Sequence, residues 1–392
     1  MRPEQGLGPG NAALAAPLAP LHFVSLRLPD DLARARPCVP QLESLLHTTL
    51  AEARCTEDGQ ASVYVGARQH GAELLVPWLA QTLRLPLRMG EKVVWSLSVP
   101  SIRLKPMAQL GVLVDADALA LLEWLRRSEP LRAIVLTDVA TSQPLYAAAL
   151  NARGLGYVLV KNEPDTHLFH RFGASYAGFF GALSSKYRNQ LRKKEKVFVE
   201  RMGTAFALRE YRLPTEVQEF LNAASAINKK TYQYRMFGES VDNDAASLAA
   251  GERAALAGAF RSFILWHGEE PLCFVLGHQR ADGTYEHRQT GYDPAWRDLA
   301  PGIVCNLLMF KRLYEVDRPR ILDFGSGDSD YKRLFSNESC VTANPVLVPN
   351  QPRYMVALWL FRTFAGANAA AVRLLDRLGV KEWAKRRLRR AA

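Results

Sequence analysis

An α/β (α+β) chain of two domains is the fold class that the sequence predicts, and three observations carry it. The length of 392 residues sets two or three domains, at about 100–200 residues each. A hydrophobic share of 48% supplies a buried core and excludes a mostly disordered chain. Short β-branched and aromatic runs alternate with helical spacing along the first half, and the second half sets helices ahead of three strand-like runs joined by tight turns.

In chain order, residues 1–20 hold one arginine and then Gly, Pro and Ala, with no continuous apolar core before a cleavage site. They are expected to be a flexible leader rather than an export signal. The first domain is expected over 21–161. Its strands are expected at 62–66 (SVYVG), 92–97 (KVVWSL), 133–137 (AIVLT) and 157–161 (YVLVK), with a helix over 117–127 that Asp117 opens. This half holds no constellation of reactive residues, which points to a structural or substrate-shaping role.

The second domain is expected over 162–350. Ser184 or Ser185 caps a long basic helix running to Arg201, and Gly203 stops it. A strand over 205–211 leads through Leu213-Pro214-Thr215 into a helix over 216–229, and another helix follows over 245–259. Strands over 261–266, 272–278 and 284–290 are joined by connectors of hairpin length at 267–271 and 281–283. A loop over 292–299 precedes Pro301-Gly302, which opens a helix over 303–316. A strand over 320–324, a glycine turn, a short helix over 331–335 and a strand over 346–348 complete the domain. The remaining 351–392 are expected to be helices with a basic tail. No repeat of 20–50 residues is visible, so a solenoid is excluded.

The net charge of +11 is concentrated in two segments. Residues 186–201 carry seven basic side chains against two glutamates and residues 381–392 six against one, so each contributes +5. Such placement argues against global or specific nucleic-acid binding and suits a local phosphate or an anionic membrane surface, the latter at Lys385–Arg390 after Trp383. Cys38, Cys55, Cys273, Cys305 and Cys340 are odd in number and form no C-x-x-C pair, so neither a disulfide framework nor a zinc ribbon is expected. A reducing cytoplasm follows as the expected location, and no metal is expected. The longest apolar stretch, 355–372, contains Arg362 and Asn368. A charge near mid-span costs about 2.5–3.5 kcal/mol on insertion scales, so a packed or interfacial amphipathic helix is expected there.

Ile321-Leu322-Asp323-Phe324-Gly325-Ser326-Gly327 invites comparison with the glycine turn that opens a methyltransferase fold. Asp328-Ser329-Asp330 stands where a third glycine belongs, Glu338 is the sole acid near the ribose position, and only 65 residues follow Gly327. That reading is set aside.

Four stretches stand in a distinctive order: Ser185-Lys186-Tyr187-Arg188-Asn189-Gln190-Leu191-Arg192 on the basic helix; His287-Arg288-Gln289-Thr290-Gly291-Tyr292-Asp293 on a hairpin strand; Leu299-Ala300-Pro301-Gly302 before a helix; and Asp323-Phe324-Gly325-Ser326-Gly327-Asp328 followed by Tyr331-Lys332. With them, residues 184–335 resemble the GNAT acyltransferases, in the branch typified by the CelD proteins of bacterial cellulose synthesis and related to the FemAB peptidyltransferases. The resemblance implies two GNAT-like lobes, each a mixed, mostly antiparallel central sheet flanked by helices, the first a degenerate companion copy of the second. It further implies acetyl-CoA or another acyl-CoA as co-substrate, an unidentified amine as acceptor, and a role near exopolysaccharide or cell-envelope biosynthesis.

In this fold the acyl donor lies where two parallel strands splay apart, here expected to be 284–290 and 320–324. The free amides at the helix start would take the pyrophosphate, which places Leu299, Pro301, Gly302 and Ile303 at the coenzyme, with Arg297 and Arg188 as phosphate contacts. The chain departs from the commoner acetyltransferases in having Gly302 alone where they have a double-glycine loop. For the chemistry, strand alternation puts Tyr285, His287 and Gln289 on one face and Glu286, Arg288 and Thr290 on the other. His287 is expected to be a base or a substrate contact, Asp323 a base or the group that orients the amine, and Tyr331 an acid for the thiolate. Gln289, Tyr292 and Lys332 are expected to contact substrate. Two other readings stay open: an aminoacyl-tRNA-dependent transferase of FemAB type, and a non-catalytic accessory or binding protein that keeps the fold.

Overall fold

The computed structural model describes residues 21–28, 61–68, 71–89, 92–104, 113–203, 205–231, 234, 240–280 and 282–377. The leader 1–20 and the basic tail from 378 lie outside the described residues.

The first half runs β1 (His22–Leu28), β2 (Ala61–Arg68), β3 (Gly71–Met89), β4 (Lys92–Leu104), α1 (Asp115–Ser128), β5 (Ala133–Leu136), β6 (Val139–Ala140), α2 (Pro144–Leu150) and β7 (Tyr157–Lys161). The second runs β8 (Pro164–Arg171), α3 (Tyr176–Ala182), α4 (Ser185–Met202), β9 (Phe206–Tyr211), α5 (Val217–Asn228), α6 (Ala245–Leu256), β10 (Ser262–His267), β11 (Glu270–Gln279) and β12 (Thr284–Tyr292). It continues with α7 (Pro301–Glu315), β13 (Ile321–Ser326), α8 (Asp330–Phe335), β14 (Glu338–Ala343), β15 (Val346–Pro349) and α9 (Pro352–Arg377). The expected α/β fold is the fold found.

Two sheets organise the chain. The order is β1-β2-β3-β4-β5-β15-β7 in the first and β6-β14-β8-β13-β12-β11-β10-β9 in the second. Both follow one plan. An antiparallel meander ends in a strand that pairs parallel to the next, β4 with β5 and β12 with β13. A parallel pair needs a crossover, and α1 and α7 supply it. The halves also exchange strands: β6 of the first half joins the edge of the second sheet beside β14, while β15 of the second half enters the first sheet between β5 and β7.

Helix faces explain the cores. Leu121, Leu122 and Leu125 of α1 recur at helical spacing and bury against Ile102, Leu104, Ile134 and Leu136. On one face of the second sheet, Val304, Leu307, Phe310 and Leu313 of α7 meet Val275, Tyr285, Leu322 and Phe324, with Leu191 and Phe198 of α4 beside them. On the other, Phe220, Ala224 and Ile227 of α5 pack on Ile264 and Phe274. The basic helix α4 begins as its sequence requires: the Ser184 hydroxyl accepts from the Tyr187 N–H at 3.3 Å, and Gly203 ends it at φ 63°. The expected loop 292–299 contains a 3-10 turn over Pro294–Leu299.

One close approach is specific to glycine. A Cβ at Gly277 would lie 1.9 Å from the Tyr285 hydroxyl and 2.8 Å from the Arg261 carbonyl oxygen, because the buried Tyr285 ring lies across it. Gly277→Ala is therefore expected to cost about 1–3 kcal/mol, toward the upper end, read as a lowered denaturant midpoint at unchanged slope.

Candidate active site

The parallel pairing of β12 with β13 lasts only three residues: Thr284 with Ile321, Tyr285 with Leu322 and Glu286 with Asp323. Beyond it β12 runs on to Tyr292 and β13 to Ser326 without pairing to each other, so a wedge opens at His287 and Phe324. On the α7 side, the ring centre of His287 lies 5.5 Å from that of Phe324 and 6.0 Å from that of Tyr331, which α8 presents. Asn306, one turn into α7, donates from its amide to the Gly302 carbonyl at 2.8 Å. His287 is 5% exposed and Asn306 1%, and the two side chains face each other, the Asn306 amide acting on the His287 ring as a hydrogen-bond partner without His287 Nε2 or Asn306 Oδ1 reaching good bonding geometry. Buried polar groups that meet only in poor geometry are costly, so this pair beside a parting of strands is a place where a ligand would improve the bonding.

The same burial fixes protonation. Desolvation holds His287 down at about 4, with the Lys332 ammonium adding to it, so the imidazole is neutral at neutral pH. Desolvation pushes the Tyr331 phenol up to about 12, which keeps its proton in place as a hydrogen-bond donor. A second buried histidine, His170, lies 2.8 Å from the Tyr314 hydroxyl and is also held at about 4 by burial. These two shifts set a pH dependence of stability. Below the ordinary value of 6.5 the unfolded chain binds protons that the folded one refuses, so stability falls as pH drops from 6.5 toward 4. Each histidine contributes on the order of 3 kcal/mol to that loss, checked by urea unfolding across the window.

The start of α7 is open. Ala300 stands before it at φ 49° with no side-chain cap, Pro301 occupies the first turn, and the Ile303 and Val304 amides turn back to the Ala300 carbonyl. Gly302 would bring a Cβ no nearer than 3.5 Å to Tyr292 Cδ1, so the space ahead of the helix is free. Leu299 and Ile303 are half-buried and turn their side chains to the core, and the Ile303 amide is already taken, so of the amides expected at the coenzyme from Gly302 and Ile303 that of Gly302 remains. Arg297 is exposed on the preceding turn.

Other residues singled out from sequence lie elsewhere. Arg188 donates to the carbonyls of Gly181, at 2.7 Å, and Leu183, and Arg192 lies 5.3 Å from the Phe180 ring centre. Both hold the α3–α4 connection, so Arg188 does not offer these donors to a phosphate. The register of β12 slips between His287 and Gln289, which pair with Gly277 and Leu276. This bulge at Arg288 turns Gln289 to the face opposite His287, contrary to plain alternation.

Asp323 also lies across the sheet. Its neighbours Leu322 and Phe324 enter the core beneath α7, so its carboxylate points to the other face. There Oδ1 accepts from the Gly325 amide at 2.7 Å and lies 2.5 Å from Nε2 of the buried His167. His167 Nδ1 is 3.4 Å from the Ser326 hydroxyl, which donates to Asp138 and sits 3.2 Å from the Thr342 hydroxyl. Lys332 donates to the Ser326 carbonyl at 2.7 Å; burial lowers its pKa, opposed by Asp323, Asp165, Asp138 and Asp328. His287 with Tyr331, and Asp323 with Lys332, thus flank the wedge from opposite faces. The sequence reading missed His167, Ser326 and Asp138, which are brought together only by the pairing of β8 with β13 and β14 and of β6 with β14. Ser326 already stood inside the quoted glycine turn, and that was its one local signal.

Among the described residues no group of histidine, cysteine, aspartate or glutamate is placed to hold a metal. Comparison with curated protein sequences finds no match. Among solved structures the chain is similar to FemX, with TM-score 0.55 and 10% identity over 80% of this chain and 93% of that one. It is also similar to a conserved protein of unknown function from Bacteroides thetaiotaomicron, with TM-score 0.54 and 13% identity over 84% and 99%. At these identities the likeness is one of fold. Residues 185–333, which run from α4 into α8 and therefore span both sides of the wedge, match the family model described as an acetyltransferase (GNAT) domain.

Proposed function

We propose that the chain is an acyl-CoA-dependent N-acyltransferase of the CelD/FemAB-like branch. The observation that carries this reading is the wedge between β12 and β13, with the buried, loosely paired side chains of His287 and Asn306 at its side. The residues present fit the coenzyme. The uncapped start of α7 offers the Gly302 N–H and a favourable dipole to a pyrophosphate, Gly302 leaves room for close approach, and His287 and Asn306 suit the amide groups of a pantetheine arm. The bound thioester supplies the activated acyl carbon. Asp323, held by His167, takes the proton that the amine loses as it attacks, and Tyr331 donates a hydrogen bond to the sulfur as the carbon–sulfur bond breaks. Lys332 and Tyr292 border the acceptor, and Arg297 the phosphates. The lobes divide at 21–161 and 162–350, with β6 and β15 as the strands by which they interlock. The acceptor belongs to exopolysaccharide or cell-envelope chemistry, an amino sugar being the simplest case, and the work is done in the cytoplasm.

Calorimetric titration with acetyl-CoA and longer acyl-CoAs tests the donor site. Micromolar binding is expected, weakened at least tenfold or so in Gly302→Trp, which fills the space before α7 without entering the core. No heat with any donor, in protein of unchanged melting, overturns the reading. The aminoacyl-tRNA alternative draws on exposed Lys186, Lys193 and Lys196 of α4. Tight tRNA binding with steep salt dependence, in place of coenzyme binding, would select it.

A further inference from the structure

The last helix, α9, has a settled inner face and an unsettled outer one. Tyr354 and Leu358 are buried against Leu97, Val99, Val346 and Val348 of the first sheet. On the opposite side Val356, Trp359, Leu360 and Phe364 are 60%, 63%, 50% and 36% exposed. Their spacing of three and four residues puts them on one stripe spanning two turns. A lone exposed apolar side chain needs no explanation, but four large ones in a row cost solvation that a monomer in water does not recover. No helix among the described residues is long and apolar enough to cross a membrane.

Charge identifies what covers the stripe. From Arg353 to the C-terminus the sequence holds ten lysines and arginines against Asp376 and Glu382, a net +8 of the chain's +11. Arg353 and Arg362 are exposed on α9 itself. An apolar protein partner would not require that excess, whereas an anionic lipid surface requires both features: apolar side chains for the acyl boundary and cations for the headgroups. Tryptophan at the rim of the stripe suits that boundary. We propose that α9 lies in the plane of an anionic phospholipid surface, with Val356, Trp359, Leu360 and Phe364 immersed, drawn there by the positive charge that the sequence carries from Arg353 onward. Two weak signals acting together give stable attachment where either alone gives marginal binding.

Co-sedimentation of the full chain with vesicles tests this at about 0.15 M salt. Vesicles of phosphatidylcholine with about 30% phosphatidylglycerol are expected to carry the protein down, and pure phosphatidylcholine vesicles are not. Trp359→Ser with Leu360→Ser is expected to lower partitioning by about tenfold or more with melting unchanged, since both side chains are exposed. Arg386→Glu with Arg387→Glu is expected to lower it in the same direction. Failure to bind anionic vesicles, equal binding to both vesicle types, or indifference to the apolar double substitution overturns the proposal. Self-association without lipid that the apolar double substitution abolishes also overturns it, because a second copy then covers the stripe.

Discussion

Asp323→Asn is expected to slow acyl transfer by about 10²–10⁴-fold while leaving melting and donor binding close to those of the parent, because the amide keeps an acceptor for the Gly325 N–H but cannot take a proton. The geometry singles out this carboxylate: its oxygen is fixed by the Gly325 amide at 2.7 Å and His167 at 2.5 Å, where the strand leaves its parallel partner. His167 touches no reacting atom in this scheme and acts by positioning. His167→Ala should therefore lower kcat by a smaller factor with little change in the KM for donor, and His167→Gln, which restores an N–H donor, should recover part of it. A melting loss that tracks the activity loss through both variants would reduce His167 to a structural role.

The second large effect is on stability and is independent of any activity. Arg261 is 1% exposed, and its guanidinium donates to Glu210 at 2.8 Å and to the carbonyls of Val316 and Asp317, each at 2.8 Å. Glu210 accepts in turn from Arg312 at 2.7 Å. One side chain thus joins β9, β10 and the end of α7, where Asp317 turns the chain at φ 45° toward β13. Arg261→Ala leaves a buried carboxylate with one partner and two carbonyls with none. Loss of about 3–5 kcal/mol is expected in urea unfolding. A loss under about 1 kcal/mol would mean that water replaces the guanidinium.

Much of this architecture was legible in the residues. The parallel strands, the helix between them and the basic helix all announce themselves through local period, with Ser184, Gly203 and Pro301 as punctuation, and each lies within a few residues of its expected place. Strand β8 was not legible. Its sequence, PDTHLFHR, mixes charges and histidines, and it becomes a strand because Leu168 enters the core while His167 and His170 find partners 156 and 144 residues away. Missing β8 meant missing His167. Gln289 was misplaced for a different reason: a single extra residue at Arg288 reverses the alternation, and nothing in the pattern of a strand announces a bulge. Arg188 shows the limit of charge as a signal, since its cationic group is used on the carbonyls of its own loop.

The most direct test of the central claim is coenzyme A thiol release from acetyl-CoA, followed against a panel of amines including amino sugars. The account predicts release that depends on one class of amine and collapses in Asp323→Asn while the variant still binds donor. Release that is independent of every amine, or equal in parent and variant, would contradict it.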